Sequence, residues 1–237
     1  MKEITKVQLI DIKKETKNVK SYFLKSLNGQ NLDFLPGQFV NLYVKINNER
    51  VKRSYSIASS PLNKKYVELT IKLVPNGKVS PYMHNGVKVG DIFEISQPRG
   101  KFFYMDHLKS IVLIAAGSGI VPFMSMIRYC TEKKLDTKIS LLYSSKTEKD
   151  IIYQKELEKL EKINSNLKIY HTLTRDSWKN KRGHTGRINK DFIYETVQNI
   201  FKNTYYICGS FGFVHDMAEI LKEIGINRKQ IKRDVWT

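Results

Sequence analysis

Cysteine is almost absent: the 237 residues contain two, Cys130 and Cys208. Two thiols cannot form a disulfide scaffold or supply the four ligands of an iron–sulfur cluster. The five histidines are scattered without ligand spacing, so no metal site is expected. No apolar run approaches the length of a membrane span, and no apolar leader opens the chain. The expectation is a soluble, cytoplasmic protein with no membrane partner. Acidic residues are scarce, 23 against 41 Lys and Arg, which gives a net charge of +18. Residues 1–105 hold 18 basic and 8 acidic residues and residues 106–237 hold 23 and 15, so the charge is spread and forms no basic tail. Such a surface steers acidic partners. Nucleic acid would satisfy the same charge, but no helix-turn-helix or aromatic–basic signature accompanies it. A lysine-rich face can also be plain solvated surface.

With 41% hydrophobic residues, the chain can bury a core in one large or two ordinary domains. Its two halves have different patterns. Up to residue 105, short β-type runs (Ile4–Ile10, Val19–Leu27, Gln38–Ile46, Val51–Ala58, Tyr66–Val74 and Ile92–Gln97) are separated by turn residues such as Asn28-Gly29, Pro36-Gly37 and Pro75-Asn76-Gly77. This spacing predicts an antiparallel β-barrel, with one short helix over Ser80–Asn85. From about residue 110, strands (Ile139–Ser144, Leu167–Thr174, Tyr205–Cys208) alternate with helices (Tyr153–Ile163, Lys190–Ile200, Phe213–Ile224). That alternation predicts a Rossmann-like parallel α/β sheet. The boundary falls near Met105–Lys109, giving domains 1–105 and 106–237.

The densest signal is the apolar run Ile111–Ala116 followed by Gly117-Ser118-Gly119-Ile120-Val121-Pro122. The run suits a strand buried on both faces. The glycines permit a sharp turn and close approach of a ligand, and Pro122 suits the first turn of a helix. A strand, a glycine turn and a helix N-terminus aim free N–H groups at an anion, such as a dinucleotide pyrophosphate. The loop is not a full G-x-G-x-x-G fingerprint, because Pro122 stands at the third glycine. It is equally compatible with an ordinary strand-to-helix corner.

Arg53-Ser54-Tyr55-Ser56 narrows the reading. With Pro36-Gly37-Gln38-Phe39, Gly77-Lys78-Val79-Ser80, Gly117–Pro122, Cys208-Gly209 and Asp234-Val235-Trp236 following in order, the chain resembles the ferredoxin–NADP reductase superfamily of flavoproteins. The resemblance implies FAD bound by Arg53, Ser54, Tyr55 and Ser56, by Ile71, Lys72 and Leu73, and by Gly77, Lys78, Val79 and Ser80. It implies NADP(H), with NAD(H) as the alternative, at Gly117, Ser118, Gly119 and Pro122, at Ser144 and Lys146, at Thr174 and Arg175, and at Cys208 and Gly209. Ser56, Cys208, Asp234 and Trp236 are the implied catalytic residues, with Trp236 lying over the flavin. Thr237 after the aromatic departs from the family ending.

The residue chemistry agrees. Arg53 offers forked donors for a phosphate, and Tyr55 lies on the same strand face with a ring for an isoalloxazine. No acidic residue ends the second parallel strand to clasp a bare ribose diol, while Lys146 and Arg175 suit a 2′-phosphate.

The implied activity is hydride transfer from NAD(P)H to FAD, then release of single electrons. The acceptor would be a separate small acidic carrier, a ferredoxin or flavodoxin, or an oxygenase component. An NAD(P)H:flavin reductase acting on free flavin and a flavin-free basic binding module are the competing readings.

Overall fold

The computed structural model describes residues 4–29, 31–178 and 183–236, with only the backbone of Trp236. Strands β1 (Ile4–Thr16), β2 (Val19–Ser26), β3 (Phe39–Ile46), β4 (Glu49–Ser56), β5 (Val67–Lys72) and β6 (Ile92–Ser96) pair in the order β4-β3-β6-β1-β2-β5. All these pairings are antiparallel. Alternation builds the interior: Val40, Leu42 and Val44 of β3 are buried, while Asn41, Tyr43 and Lys45 are less so. The two sheet edges meet at one end only, through an Ile57–Leu69 bridge and the Ala58 N–H to Glu68 carbonyl bond of 2.8 Å. Helix α1 (Val79–Asn85) packs against β4 and β5. Among the described residues the rest of the β4 edge pairs with no strand.

The second half is the expected parallel sheet. Strands β7 (Ser110–Ala116), β8 (Lys138–Ser145), β9 (Leu167–Leu173), β10 (His184–Thr185), β11 (Thr204–Ser210) and β12 (Ile231–Trp236) lie in the order β10-β9-β8-β7-β11-β12. Helices α2 (Val121–Glu132) and α3 (Gln154–Ile163) cover one face, and α4 (Lys190–Thr196) and α5 (Phe211–Ile224) the other. The chain leaves β7 toward β8 and later returns to β7's other side as β11. This puts a topological switch point at the carboxyl ends of β7 and β11, the usual ligand crevice of an open α/β sheet.

The core under α2 is continuous with the first half: Val19, Ala58 and Phe102 join Phe123, Met124 and Met126 in one apolar cluster. The Tyr206 hydroxyl donates to the Phe103 carbonyl at 3.0 Å. No helix among the described residues is long and apolar enough to cross a membrane, and no group of His, Cys, Asp or Glu among them could hold a metal.

Several elements differ from the sequence expectation, among them the two-residue strand β10, which no pattern predicted. β1 continues to Thr16 through two register shifts against β2, with a largely exposed stretch that carries no alternation. β4 begins at Glu49 and ends at Ser56, two residues earlier at both ends than expected. α4 ends at Thr196, because Val197 is extended and Asn199 adopts φ +49°, and a single 3-10 turn covers Ile200–Lys202. β12 was not expected as a strand; it is a polar sheet edge, and Lys232 and Arg233 are exposed on it.

Candidate functional site

The flavin motif lies on the open edge of β4. Directly opposed residues of an antiparallel pair project to the same face. Val51, Arg53 and Tyr55 oppose Val44, Leu42 and Val40, all buried in the barrel. Arg53 therefore points to the inward face and yet is exposed, because β5 does not cover β4 there. Its Nη1 donates to its neighbour's Lys52 carbonyl at 2.8 Å, and it joins no ion pair among the described residues. Tyr55 is half-buried against the barrel core, and burial pushes its hydroxyl up to about 12, so the phenol stays neutral. Ser54 faces outward and donates to Asn41 Oδ1 at 2.7 Å. Ser56 ends the strand at 3% exposure, its hydroxyl bonded to no described residue. An exposed guanidinium and a half-buried ring on one face of the strand fit a flat ring with a phosphate arm, while Ser56, one residue on, lies on the opposite face.

The second turn lies beside this edge. Ile71 is buried, Lys72 exposed and Leu73 half-buried, its N–H bonded to the Asn18 carbonyl at 2.8 Å. The Gly77 N–H closes the turn on the Val74 carbonyl at 2.9 Å. The Ser80 hydroxyl, expected to face an anion, accepts from the Val74 N–H at 3.0 Å and is buried; its role in the structure is turn closure. Val79 is buried, and exposed Lys78 reaches Glu49 at 3.4 Å. α1 is held from its other end, where the Tyr22 hydroxyl and Lys20 Nζ donate to the Met83 and His84 carbonyls at 2.8 and 2.7 Å.

On the sheet side, Gly117–Ile120 forms a 3-10 turn that runs into α2, with Pro122 as the helix's second residue. Gly117 has φ +54° and open space where a Cβ would be. Gly119 crosses the end of β11 so closely that a Cβ would lie 2.1 Å from the Cys208 carbonyl oxygen. Ser118 is half-buried between them. The Tyr143 hydroxyl fixes this turn: it donates to the Gly117 carbonyl at 3.0 Å and accepts from the Ile152 N–H at 3.3 Å.

The loops after β8 and β9 are joined. The Thr174 N–H bonds the Ser145 carbonyl at 3.0 Å and the Arg175 N–H the Lys146 carbonyl at 2.9 Å. Exposed Lys146 and Arg175 thus stand on adjacent strands, with no ion pair from either among the described residues, while Ser144 is buried and Thr174 exposed. At the other end, register sets buried Cys208 beside Asp234, and Gly209 and Ser210 beside Val235 and Trp236. Burial raises the Asp234 carboxyl, opposed by its bond to the Val235 amide. The side chain of Trp236 lies outside the described residues. The structure therefore gathers the glycine turn, Cys208, Gly209 and Asp234 at one crevice, and Ser144, Lys146, Thr174 and Arg175 farther along the same sheet end.

Sequence reasoning named Ser145 only with its neighbours Ser144 and Lys146, and it missed His171. His171 Nδ1 is buried with no hydrogen-bond partner among the described residues, and its ring lies between Tyr143 and Trp178, at centroid distances of 5.7 and 5.9 Å. β9 lacks a clean alternation of apolar and polar residues, so the sequence gives no sign which way His171 faces. Burial lowers His171 to about 4. The unfolded chain then binds the proton more readily, so this stability is complete above the free histidine value and is lost as pH falls from about 6.5 toward 4. His171→Phe is expected to flatten the pH dependence of urea stability between pH 7 and 4.5 by about 2 kcal/mol. An unchanged slope would contradict the burial.

Both halves of the chain match known protein families. Residues 6–104 match the oxidoreductase FAD-binding domain, and residues 113–219 the oxidoreductase NAD-binding domain. NADH-cytochrome b5 reductase 1 of Dictyostelium discoideum is 32% identical over 82% of this chain and 68% of its own length. The chain belongs to the ferredoxin–NADP reductase family. It is an oxidoreductase of the FAD- and nicotinamide-nucleotide-using kind. The reductase subunit of glycine betaine monooxygenase from Chromohalobacter salexigens is 26% identical over 93% of this chain and 61% of its own. The FAD/NAD-binding domain of Vibrio cholerae nitric oxide dioxygenase has the same fold, with a TM-score of 0.90 at 24% identity over 98% of both chains. Several curated relatives are longer, and the chain spans 57% to 63% of them.

Proposed function

We propose that this ferredoxin–NADP reductase family member takes reducing equivalents from NADPH and delivers them singly to a separate acidic carrier protein, a ferredoxin or flavodoxin, or to an oxygenase component. FAD, when bound, supplies the conversion of a hydride into single electrons. Arg53 would hold its phosphate, Tyr55 its ring, and Ser54, Ser56, residues 71–73 and the Gly77–Ser80 turn the remainder, all within residues 1–105. Residues 106–237 would hold the nucleotide: Gly117, Ser118, Gly119 and the start of α2 at the pyrophosphate, Ser144, Lys146, Thr174 and Arg175 at the adenosine end, Cys208 and Gly209 at the nicotinamide. Asp234 would hold a proton near Ser56, and Trp236 would cover the ring until nicotinamide enters.

The observation that carries this reading is Arg53, an inward-facing yet exposed cation beside a half-buried tyrosine on an uncovered barrel edge. The free cations Lys146 and Arg175 support NADPH over NADH. For the acceptor, two cysteines cannot supply a four-cysteine iron–sulfur site within this chain, and the +18 charge suits an acidic partner. The similarity to a monooxygenase reductase subunit supports the oxygenase version.

Stopped-flow reduction with NADPH and NADH tests the donor. NADPH is expected to bind about tenfold more tightly, and Lys146→Ala with Arg175→Ala to erase the difference. Electron delivery to an acidic ferredoxin should fall steeply with added salt. Equal affinity for both nucleotides, or delivery indifferent to salt, contradicts the respective part.

A further inference from the structure

Two residues of α2 and one just before α3 reach across to residues 58–59, which follow the flavin motif, and to β5. Ser125, just past the start of α2, donates to the Ser59 carbonyl at 2.7 Å. Arg128 donates from Nη1 to the Ala58 carbonyl and to Glu68 Oε2, each at 2.7 Å. Its Nε and Nη2 grip both carboxylate oxygens of Glu156 at 2.7 and 2.8 Å. The Tyr153 hydroxyl donates to the other Glu68 oxygen at 2.8 Å and also meets Thr70. Burial and the Glu68 charge keep that hydroxyl protonated. Glu68 itself is 2% exposed.

The geometry points to Arg128 as a positioning residue for hydride transfer, setting where the glycine turn stands relative to the flavin-motif strand. This inference rests on the flavin reading above. The helix that carries Arg128 begins at the Gly117–Pro122 loop, and the carbonyl it holds lies two residues beyond Ser56. A shift of α2 against residues 56–60 therefore moves the nucleotide cradle against the flavin strand. Buried ion networks contribute little net stability over well-packed apolar groups, and in some proteins they instead select one arrangement, which is the role inferred for this one. Reaction geometry is sensitive on that scale, a displacement of about 1 Å costing on the order of 100-fold in rate.

The test uses the purified full chain with its bound flavin and the variants Arg128→Met, Arg128→Lys and Tyr153→Phe. Arg128→Met is expected to keep its flavin and bind nucleotide within about twofold, yet to reduce flavin at saturating nucleotide roughly 10- to 100-fold more slowly. Amide exchange of residues 57–60 should quicken in the same variant. Arg128→Lys, which keeps the charge but not the fork, should recover part of both effects. Normal reduction rates in a variant whose exchange or melting has changed would overturn the inference and leave the network purely structural. Should Arg128→Met fail to fold, Tyr153→Phe decides by the same two readouts, with a rate loss of a few fold expected. If the unaltered protein is reduced by neither nucleotide, the flavin reading fails, and exchange at residues 57–60 still reports whether the clamp exists.

Discussion

Gly119→Ala is expected to destabilise the nucleotide-binding half severely. The added Cβ would lie 2.1 Å from the Cys208 carbonyl oxygen, 2.6 Å from its carbon and 2.9 Å from the Gly209 nitrogen. All three are backbone atoms of a central strand, so no rotamer change relieves the clash. The turn must lift away from β11, which opens the crevice and breaks the approach that aims its N–H groups. A loss of about 3 kcal/mol or more follows, on the order of 10 °C in melting temperature for a chain of this length. Nucleotide affinity should fall with it. Gly212→Ala provides the contrast: nothing lies within 4 Å of its Cβ position in the first turn of α5. That substitution should be neutral or stabilise by up to about 1 kcal/mol. A Gly119→Ala protein that melts normally and binds NADPH normally would contradict the packing of the turn on β11.

The second large effect concerns flavin retention. Tyr55→Ala removes a ring from the uncovered edge of β4 and should weaken flavin binding about 30- to 100-fold, equivalent to roughly 2 to 3 kcal/mol of contact area. Tyr55→Phe keeps the ring and should bind nearly as before. Arg53→Ala removes the one inward-facing cation of β4. It should cost about 10- to 100-fold in flavin affinity with little change in melting temperature, because exposed Arg53 is held only by a neighbour's carbonyl. Equilibrium dialysis of released flavin against each variant measures both. Unaltered affinity in Tyr55→Ala and Arg53→Ala would move the flavin site elsewhere.

What the sequence made legible was local. The glycine turn, Pro122 and the Arg53–Ser56 quartet are contiguous, and their chemistry follows from residue type and strand period. The order of strands and helices separated barrel from parallel sheet for the same reason. The exposure of Arg53 was not legible, because it depends on β5 meeting the chain only beyond the end of β4, at Ile57 and Ala58. The Glu68–Arg128 contact joins residues 60 apart, and no pattern in either helix or strand marks them as partners. Ser80 shows a use the sequence did not reveal: a serine at a turn suits an anion, and here its hydroxyl also accepts from the turn's own backbone. The terminal strand β12 escaped notice because an edge strand with charged side chains lacks the apolar period that marks its neighbours.

The most direct measurement is the flavin content of the purified protein. Heat-released cofactor, identified by chromatography and counted against protein, should be FAD at close to one per chain, and its visible absorbance should bleach on addition of NADPH. A colourless protein that binds no added FAD, or one whose bound flavin stays oxidised in excess NADPH and NADH, would contradict the account.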